Sequence, residues 1–296
     1  MSNICIIGHI SIDMITNKQI KEKSIGGPPC YTGITCINEG LNVEIYTKVG
    51  KDFPIEYKTW LENKGIIMKN SISVSNTTSF EITEYNNNNK KLKLLNKCEN
   101  IILEESEINN YEGIIISPIV NELNVKNKKI LNAFGKKTML DPQGYLRKFN
   151  KKGICNLKYI NINELPQTEI IKISEEESLM LDKSRNFLDR LKNISKIYPI
   201  TIGTINNQLT YLINDGKCYA IKNNQSSILK DTIGLGDILN GVFFSMYMKN
   251  NDILWSISRA IAFTSTREGI GIKKLESNNE YDELSNLIYD NIMRIY

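Results

Sequence analysis

Short apolar runs rich in β-branched residues recur along the chain: Ile4–Ile7, Val43–Val49, Gly113–Ile116, Thr138–Leu140, Lys158–Ile162 and Ile197–Ile202. A strand buried on both faces of a parallel sheet has no solvent side, so its apolar residues need not alternate with polar ones. The stretches between the runs are long enough for crossover helices, with Pro54–Lys64 and Glu175–Lys192 as candidates. The pattern predicts α/β architecture. Two segments break the rhythm. Ser11–Ser24 and Asn76–Cys98 alternate in part, as in Ser79-Phe80-Glu81-Ile82-Thr83-Glu84-Tyr85, and Asn86-Asn87-Asn88-Asn89-Lys90-Lys91 reads as a hairpin tip. They predict strands that leave the main sheet, at about 11–24 and 76–98, to form a small lid. The length of 296 residues permits one large domain or two smaller ones. With no internal repeat and no Pro/Ser-rich linker, a single α/β body over 1–296 with an appended lid is expected.

Polar residues follow the runs. Ile4–Ile7 leads to Gly8 and then Asp13, Gly113–Ile116 to Ser117, Thr138–Leu140 to Asp141, and Ile197–Ile200 to Thr201. In open α/β sheets ligands bind outside the carboxyl ends of the strands. Any strand must also end in something polar, so each residue alone has a plain reading beside the functional one.

Composition narrows the classes. Apolar residues make up 41%, enough for a substantial core, and net charge is only +4 with basic residues spread along the chain. With no RNP, homeodomain or zinc-finger pattern, no nucleic-acid partner is expected. The N-terminus lacks the parts of a signal peptide, and no stretch approaches the roughly 18 apolar residues of a membrane helix. Cysteines at 5, 30, 36, 98, 155 and 218 form no C-x-x-C pair, which fits a reduced, cytoplasmic protein with no membrane partner. His9 is the only histidine, so histidine-rich metal sites are excluded.

The chemistry concentrates in Asp231-Thr232-Ile233-Gly234-Leu235-Gly236-Asp237-Ile238-Leu239-Asn240-Gly241, after which apolar residues keep helical spacing at 242, 243 and 246. A glycine-bearing turn thus opens onto an amphipathic helix. Glycine lets backbone N–H groups approach a ligand. The first N–H groups of a helix lack internal partners and carry about half a positive charge, which suits phosphate or developing transition-state charge. Asp237 at that entrance has two readings. It caps the helix, worth ~1 kcal/mol, or it accepts a proton from a substrate hydroxyl during phosphoryl transfer.

Asp231-Thr232-x-Gly234-x-Gly236-Asp237 with Asn240-Gly241 resembles the C-terminal signature of the ribokinase (PfkB) carbohydrate kinases. Other pieces fall in that family's order: Gly8-His9-Ile10-Ser11-Ile12-Asp13, Gly26-Gly27, Val49-Gly50-Lys51-Asp52 and Thr201-Ile202-Gly203. The resemblance implies a ribokinase-like three-layer α/β/α sandwich with a small β-rich lid. It also implies ATP-dependent phosphorylation of a hydroxyl on a polyol, sugar or nucleoside. Asp237 would be the base, and Gly234, Leu235 and Gly236 the anion hole. Asp13, Gly26 and Gly27 would bind substrate, and Thr201 and Gly203 would lie near the nucleotide. Magnesium is implied with ATP, and a monovalent cation at Asp231. Relatives are monomers or homodimers.

The chain departs from the family at Gly26-Gly27-Pro28-Pro29-Cys30-Tyr31, where Tyr31 stands in place of an asparagine. This form, and Asp141-Pro142-Gln143-Gly144-Tyr145-Leu146-Arg147, resemble archaeal inositol-kinase-like members. Arg147 there is either a phosphate-binding fork or a surface arginine. The family's N-x-x-E magnesium motif is matched in spacing by Asn161-Ile162-Asn163-Glu164, which nominates Glu164, although aligning Asn163 with the family asparagine puts Pro166 at the glutamate. The G-x-G-x-x-G of a dehydrogenase and the G-x-x-x-x-G-K-[ST] of a Walker NTPase are absent. A nucleoside kinase, with Tyr31, Phe80 and Tyr85 offering an aromatic slot, and a non-catalytic ATP- or sugar-binding regulator are the rivals.

Overall fold

The computed structural model describes residues 2–16, 21–69, 71–84, 90–206, 208–223, 233–266, 272, 275 and 281–296. The chain opens with β1 (Asn3–Ile7), the lid strands β2 (Ser11–Thr16) and β3 (Lys21–Gly26), and helix α1 (Pro28–Asn38). β4 (Asn42–Tyr46), α2 (Ile55–Asn63) and β5 (Ile67–Lys69) follow, then a return to the lid in β6 (Ser79–Glu84) and β7 (Lys90–Asn96). The middle of the chain runs α3 (Glu105–Ile108), β8 (Gly113–Ile116), α4 (Val125–Ala133), β9 (Lys137–Leu140), α5 (Gln143–Leu146), β10 (Arg147–Phe149) and β11 (Cys155–Leu157). It continues as β12 (Ile170–Ser174), α6 (Glu175–Ser178), α7 (Phe187–Ile194), β13 (Ile200–Ile205), β14 (Leu209–Asn214) and β15 (Lys217–Lys222). The final elements are α8 (Leu235–Asn250), α9 (Ile253–Thr266), α10 (Asp282–Asp290) and β16 (Met293–Arg294).

The main sheet has ten strands in the order β16-β15-β14-β13-β12-β9-β8-β1-β4-β5. From β13 to β5 every pairing is parallel, and β14 to β16 add an antiparallel edge. Its central strands are buried on both faces, as the non-alternating runs require. On β1, Ile4 and Ile6 join the cluster of α1, α8 and α9 around Phe243, Phe244 and Phe263. Cys5 and Ile7 point to the other layer, with Leu131, Leu191 and Tyr198. Burying one such isoleucine contributes about 1.5–3 kcal/mol, so the isoleucine-rich runs drive the sheet into the middle of three layers. A separate four-stranded sheet, β3-β2-β6-β7, forms the lid. Phe80 and Ile82 of that sheet pack with Ile119 and Val120 of the main body.

Two expectations change. Lys158–Ile162 is not a strand; the short β11 ends at Leu157 and pairs only with β10. The strand the sheet uses is Ile170–Ser174, set between β9 and β13. The crossover expected over 175–192 is two helices, because Ser174 closes a capping box on Glu177 and Asn186 caps a second start. The hairpin-tip reading falls mainly on residues 85–89, which lie outside the described residues. Among the described residues no helix is long and apolar enough to cross a membrane.

Candidate active site

The polar ends of β1, β9 and β12 meet the start of α8 at one edge of the sheet. α4 and α7 begin at Asn124 and Asn186, whose side chains accept a first-turn N–H. α8 begins differently. Its N-cap is Gly234, in the left-handed region with φ 78°, and no side chain caps it. A side chain at 234 would be strained and would meet the Tyr31 ring at 2.5 Å. The leading N–H groups of α8 have no intrahelical acceptor and receive no side-chain cap. Asp237 lies three residues past the N-cap, inside the first turn, and among the described residues no capping bond from its side chain is found. The capping reading of this carboxylate is therefore set aside. The Thr32 hydroxyl donates to the Asp237 carbonyl at 2.9 Å, tying α8 to α1.

α1 is placed by the di-glycine. Gly27 has φ 90°, and Pro28 and Pro29 occupy the first two helical positions, where a missing N–H costs nothing. A Cβ on Gly26 would run into the Asp13 carboxylate, so this glycine makes room for Asp13 on the neighbouring strand.

Asp13 and Asp237 line one cavity of about 260 Å³, together with Ser11, Gly27, Tyr31, Gln143, Arg147 and Gly234. Its lid side is apolar, formed by Phe80, Ile82 and Leu92. Asp13 is buried, and among the described residues its Oδ1 has no hydrogen-bond partner. Burial pushes its carboxyl from the ordinary 3.8 up to about 7, against the pull of Ser11 and Arg147. Asp237 is likewise pushed to about 7 by burial and by the nearby Asp141 charge, while Lys172, Arg147 and Gln143 hold it down. Arg147 Nη2 donates to Gln143 Oε1 at 2.6 Å, which leaves the Gln143 amide to donate to Asp237. A larger groove of about 750 Å³ is lined by Asn3 and Asn42, at the opposite ends of β1 and β4, and contains neither aspartate.

Thus Asp237, Gly234, Asp13, Gly27 and Arg147 converge on the cavity, with Leu235, Gly236 and Gly26 beside them. Glu164 does not. It sits on a short 3-10 turn in a separate groove with Lys158, Asn161 and Lys183. Ser174-Glu175-Glu176-Glu177 stands at the end of β12, where the main sheet meets α6. Thr201 is fully buried and spends its hydroxyl on the Tyr198 carbonyl at 2.9 Å; Gly203 lies against Leu191 and Phe187. Neither presents a side chain to a ligand. Asp231 lies outside the described residues.

Three further residues of the site are not marked by any motif of their own in the sequence. Gln143 stands inside the quoted Asp141–Arg147 segment. Lys172 is a lysine within the apolar run of a central strand, and that incongruity was a readable signal. Glu122, fully buried, accepts the N–H groups of His9, Ile119 and Val120 at 2.8, 3.0 and 2.8 Å, joining the turn after β1 to the loop after β8; no local pattern marks it. His9 itself is buried, its imidazole pKa pushed below the ordinary value by desolvation, and bonded to the Thr78 hydroxyl and the Glu99 carbonyl. Its role is to fix these loops.

No protein-family model and no curated sequence matches the chain. Solved structures do. A pyrophosphate-dependent kinase in the ribokinase family, complexed with a pyrophosphate analogue and myo-inositol, superposes with TM-score 0.79 at 20% identity, covering 95% of this chain and 99% of that one. A nucleoside kinase from Methanocaldococcus jannaschii, an archaeal member of the ribokinase family, gives 0.69 at 19%, covering 97% and 99%. Arabidopsis thaliana ribokinase complexed with ribose and ATP gives 0.76 at 13%, covering 96% and 98%. The chain has the ribokinase fold.

Proposed function

We propose that the chain is a ribokinase-type phosphotransferase that moves a phosphoryl group from magnesium-bound ATP to a hydroxyl of a small polyol or sugar, inositol-like in size. One observation carries this reading: Asp13, with a buried oxygen that has no partner among the described residues, and Asp237, in the first turn of α8, line the same cavity. Asp13 accepts hydroxyls of the acceptor. Asp237, oriented by Gln143 and Arg147, takes the proton of the attacking hydroxyl. The N–H groups of Gly234, Leu235 and Gly236 stabilise the transferring phosphoryl. The apolar lid suits the C–H face of a ring and excludes water from the reaction.

Magnesium holds few protein ligands when it arrives with phosphates. Glu177, whose Oε2 already accepts from Ser174 N and Oγ at 2.9 Å each, is the carboxylate that would hold its water shell and let it offset phosphate charge. Glu177→Gln is expected to lower turnover at least ~10-fold, while Glu164→Gln leaves it unchanged; steady-state assays at fixed magnesium compare the two. The reverse ranking would restore Glu164 to the site.

Both site carboxyls must be ionised to accept protons or hydroxyls, and both titrate near 7. The value of kcat/KM, which reports the free enzyme, is therefore expected to fall on the acid side below about 7, with a slope approaching two decades per pH unit. A profile flat from pH 5 to pH 8 would remove the base role from Asp237.

Two other acceptors or roles are distinguished by one assay. Turnover is measured with ATP and with pyrophosphate against myo-inositol, pentoses, hexoses and adenosine. The highest kcat/KM on a ring polyol or sugar supports the proposal. Preference for adenosine makes the chain a nucleoside kinase, with Tyr31 and Phe80 as the base slot. Binding without turnover for every pair makes it a sensor.

A further inference from the structure

We infer that Lys172 is a phosphate-binding residue for the donor, its ammonium held in place to contact the terminal phosphoryl group before and during transfer. This rests on the phosphotransferase reading of the site. β12 carries Lys172 on the same face as Ile170, toward α8. The residue is only 9% exposed. Its Nζ stands so close beneath α8 that a Cβ on Gly236 would meet it at 2.9 Å.

A buried ammonium that served only to neutralise Asp141 would be a poor investment of burial, since apolar replacement of such a pair is often neutral or stabilising. Asp141 is also bonded without it. Its Oδ2 accepts from Asn240 Nδ2 at 2.9 Å and its Oδ1 from Gln143 N at 3.3 Å. Lys172 Nζ donates to Asp141 Oδ2 at 3.3 Å, and among the described residues this is its only hydrogen bond. An ammonium has three N–H donors, so among the described residues two have no protein partner on a largely buried group. Burial alone would depress its pKa, but the charges of Asp141, Glu177 and Asp237 outweigh that and keep it protonated.

The charge balance points the same way. Asp141, Glu177 and Asp237 all bear on this one lysine. Two cations act on Asp237, Lys172 and Arg147. Arg147 lines the acceptor cavity, whereas Lys172 does not. The base therefore has one cation on the acceptor side and one behind the α8 N-terminus, where the anion hole opens. A fixed point charge at that place binds the terminal phosphoryl of any donor, whether a nucleoside triphosphate or inorganic pyrophosphate.

Calorimetric titration of the full chain with magnesium pyrophosphate, and separately with a non-hydrolysable magnesium-ATP analogue, tests this without any acceptor. Lys172→Met is expected to weaken at least one donor tenfold or more, and Lys172→Arg to recover most of that loss. The donor affected identifies the source of the phosphate. Should Lys172→Met fail to fold, as circular dichroism would show, Lys172→Met/Asp141→Asn removes both charges together and is titrated in its place. Unchanged affinity for both donors in a folded variant overturns the inference. Acceptor-dependent turnover of the unmodified chain is measured in parallel: its absence overturns the phosphotransferase reading, while the titrations still decide Lys172.

Discussion

Replacing Asp237 by asparagine is expected to cost at least ~100-fold in kcat, the usual scale for a positioned general base, with KM for the acceptor little changed. The substitution keeps the size of the side chain and its place in the first turn of α8. It removes only the capacity to take a proton. Stability gives an independent check. Burial raises the Asp237 carboxyl from 3.8 to about 7, so the native state favours the protonated form. That contribution is fully present below 3.8 and is lost as pH rises through about 7. At pH 8 the ligand-free protein thus carries a buried charge that opposes folding. The asparagine variant is expected to melt at the same temperature as the unmodified chain or higher at that pH. Loss of activity with a lowered Tm would indicate damage to the α8 start instead of loss of a base.

Asp13→Asn is expected to act on the other half of the reaction. Hydrogen bonds to a charged group contribute about 1.5–3 kcal/mol. Losing that acceptor charge should lower kcat/KM by about 10- to 150-fold, mostly through KM. Asparagine turns one oxygen into an N–H donor that faces a hydroxyl donor at a buried position. Steady-state kinetics over acceptor concentration separates this from the Asp237 effect, which falls on kcat. If Asp13→Asn binds the acceptor as well as the original chain does, the free oxygen of Asp13 serves something other than acceptor recognition.

Much of this site is legible in the sequence because it depends on local rules. A turn with Gly234 and Gly236 before a helical period announces an uncapped helix start, and the structure places Asp237 there. The run Ile4–Ile7, the lid alternation at 79–84 and the di-glycine ahead of two prolines are equally local. What escaped depends on partners distant in the chain. Lys172 has a place only because Asp141 and α8 surround it, 31 and more than 60 residues away. The strand that carries it was displaced in the reading by Lys158–Ile162, since a five-residue apolar run has no periodicity to separate strand from loop. Glu164 fits the motif spacing literally, but its turn belongs to a different groove. Thr201 and Gly203 were read as nucleotide neighbours, yet their side-chain positions face the core, because a central parallel strand is covered on both faces.

The most direct test is to follow phosphorus by NMR while the purified chain acts on magnesium and donor with the best acceptor of the panel. A new phosphate monoester signal should grow in step with donor loss, depend on the acceptor, and nearly vanish with Asp237→Asn. Donor loss as free phosphate alone, or monoester formed equally by the asparagine variant, would contradict base-assisted transfer at this site.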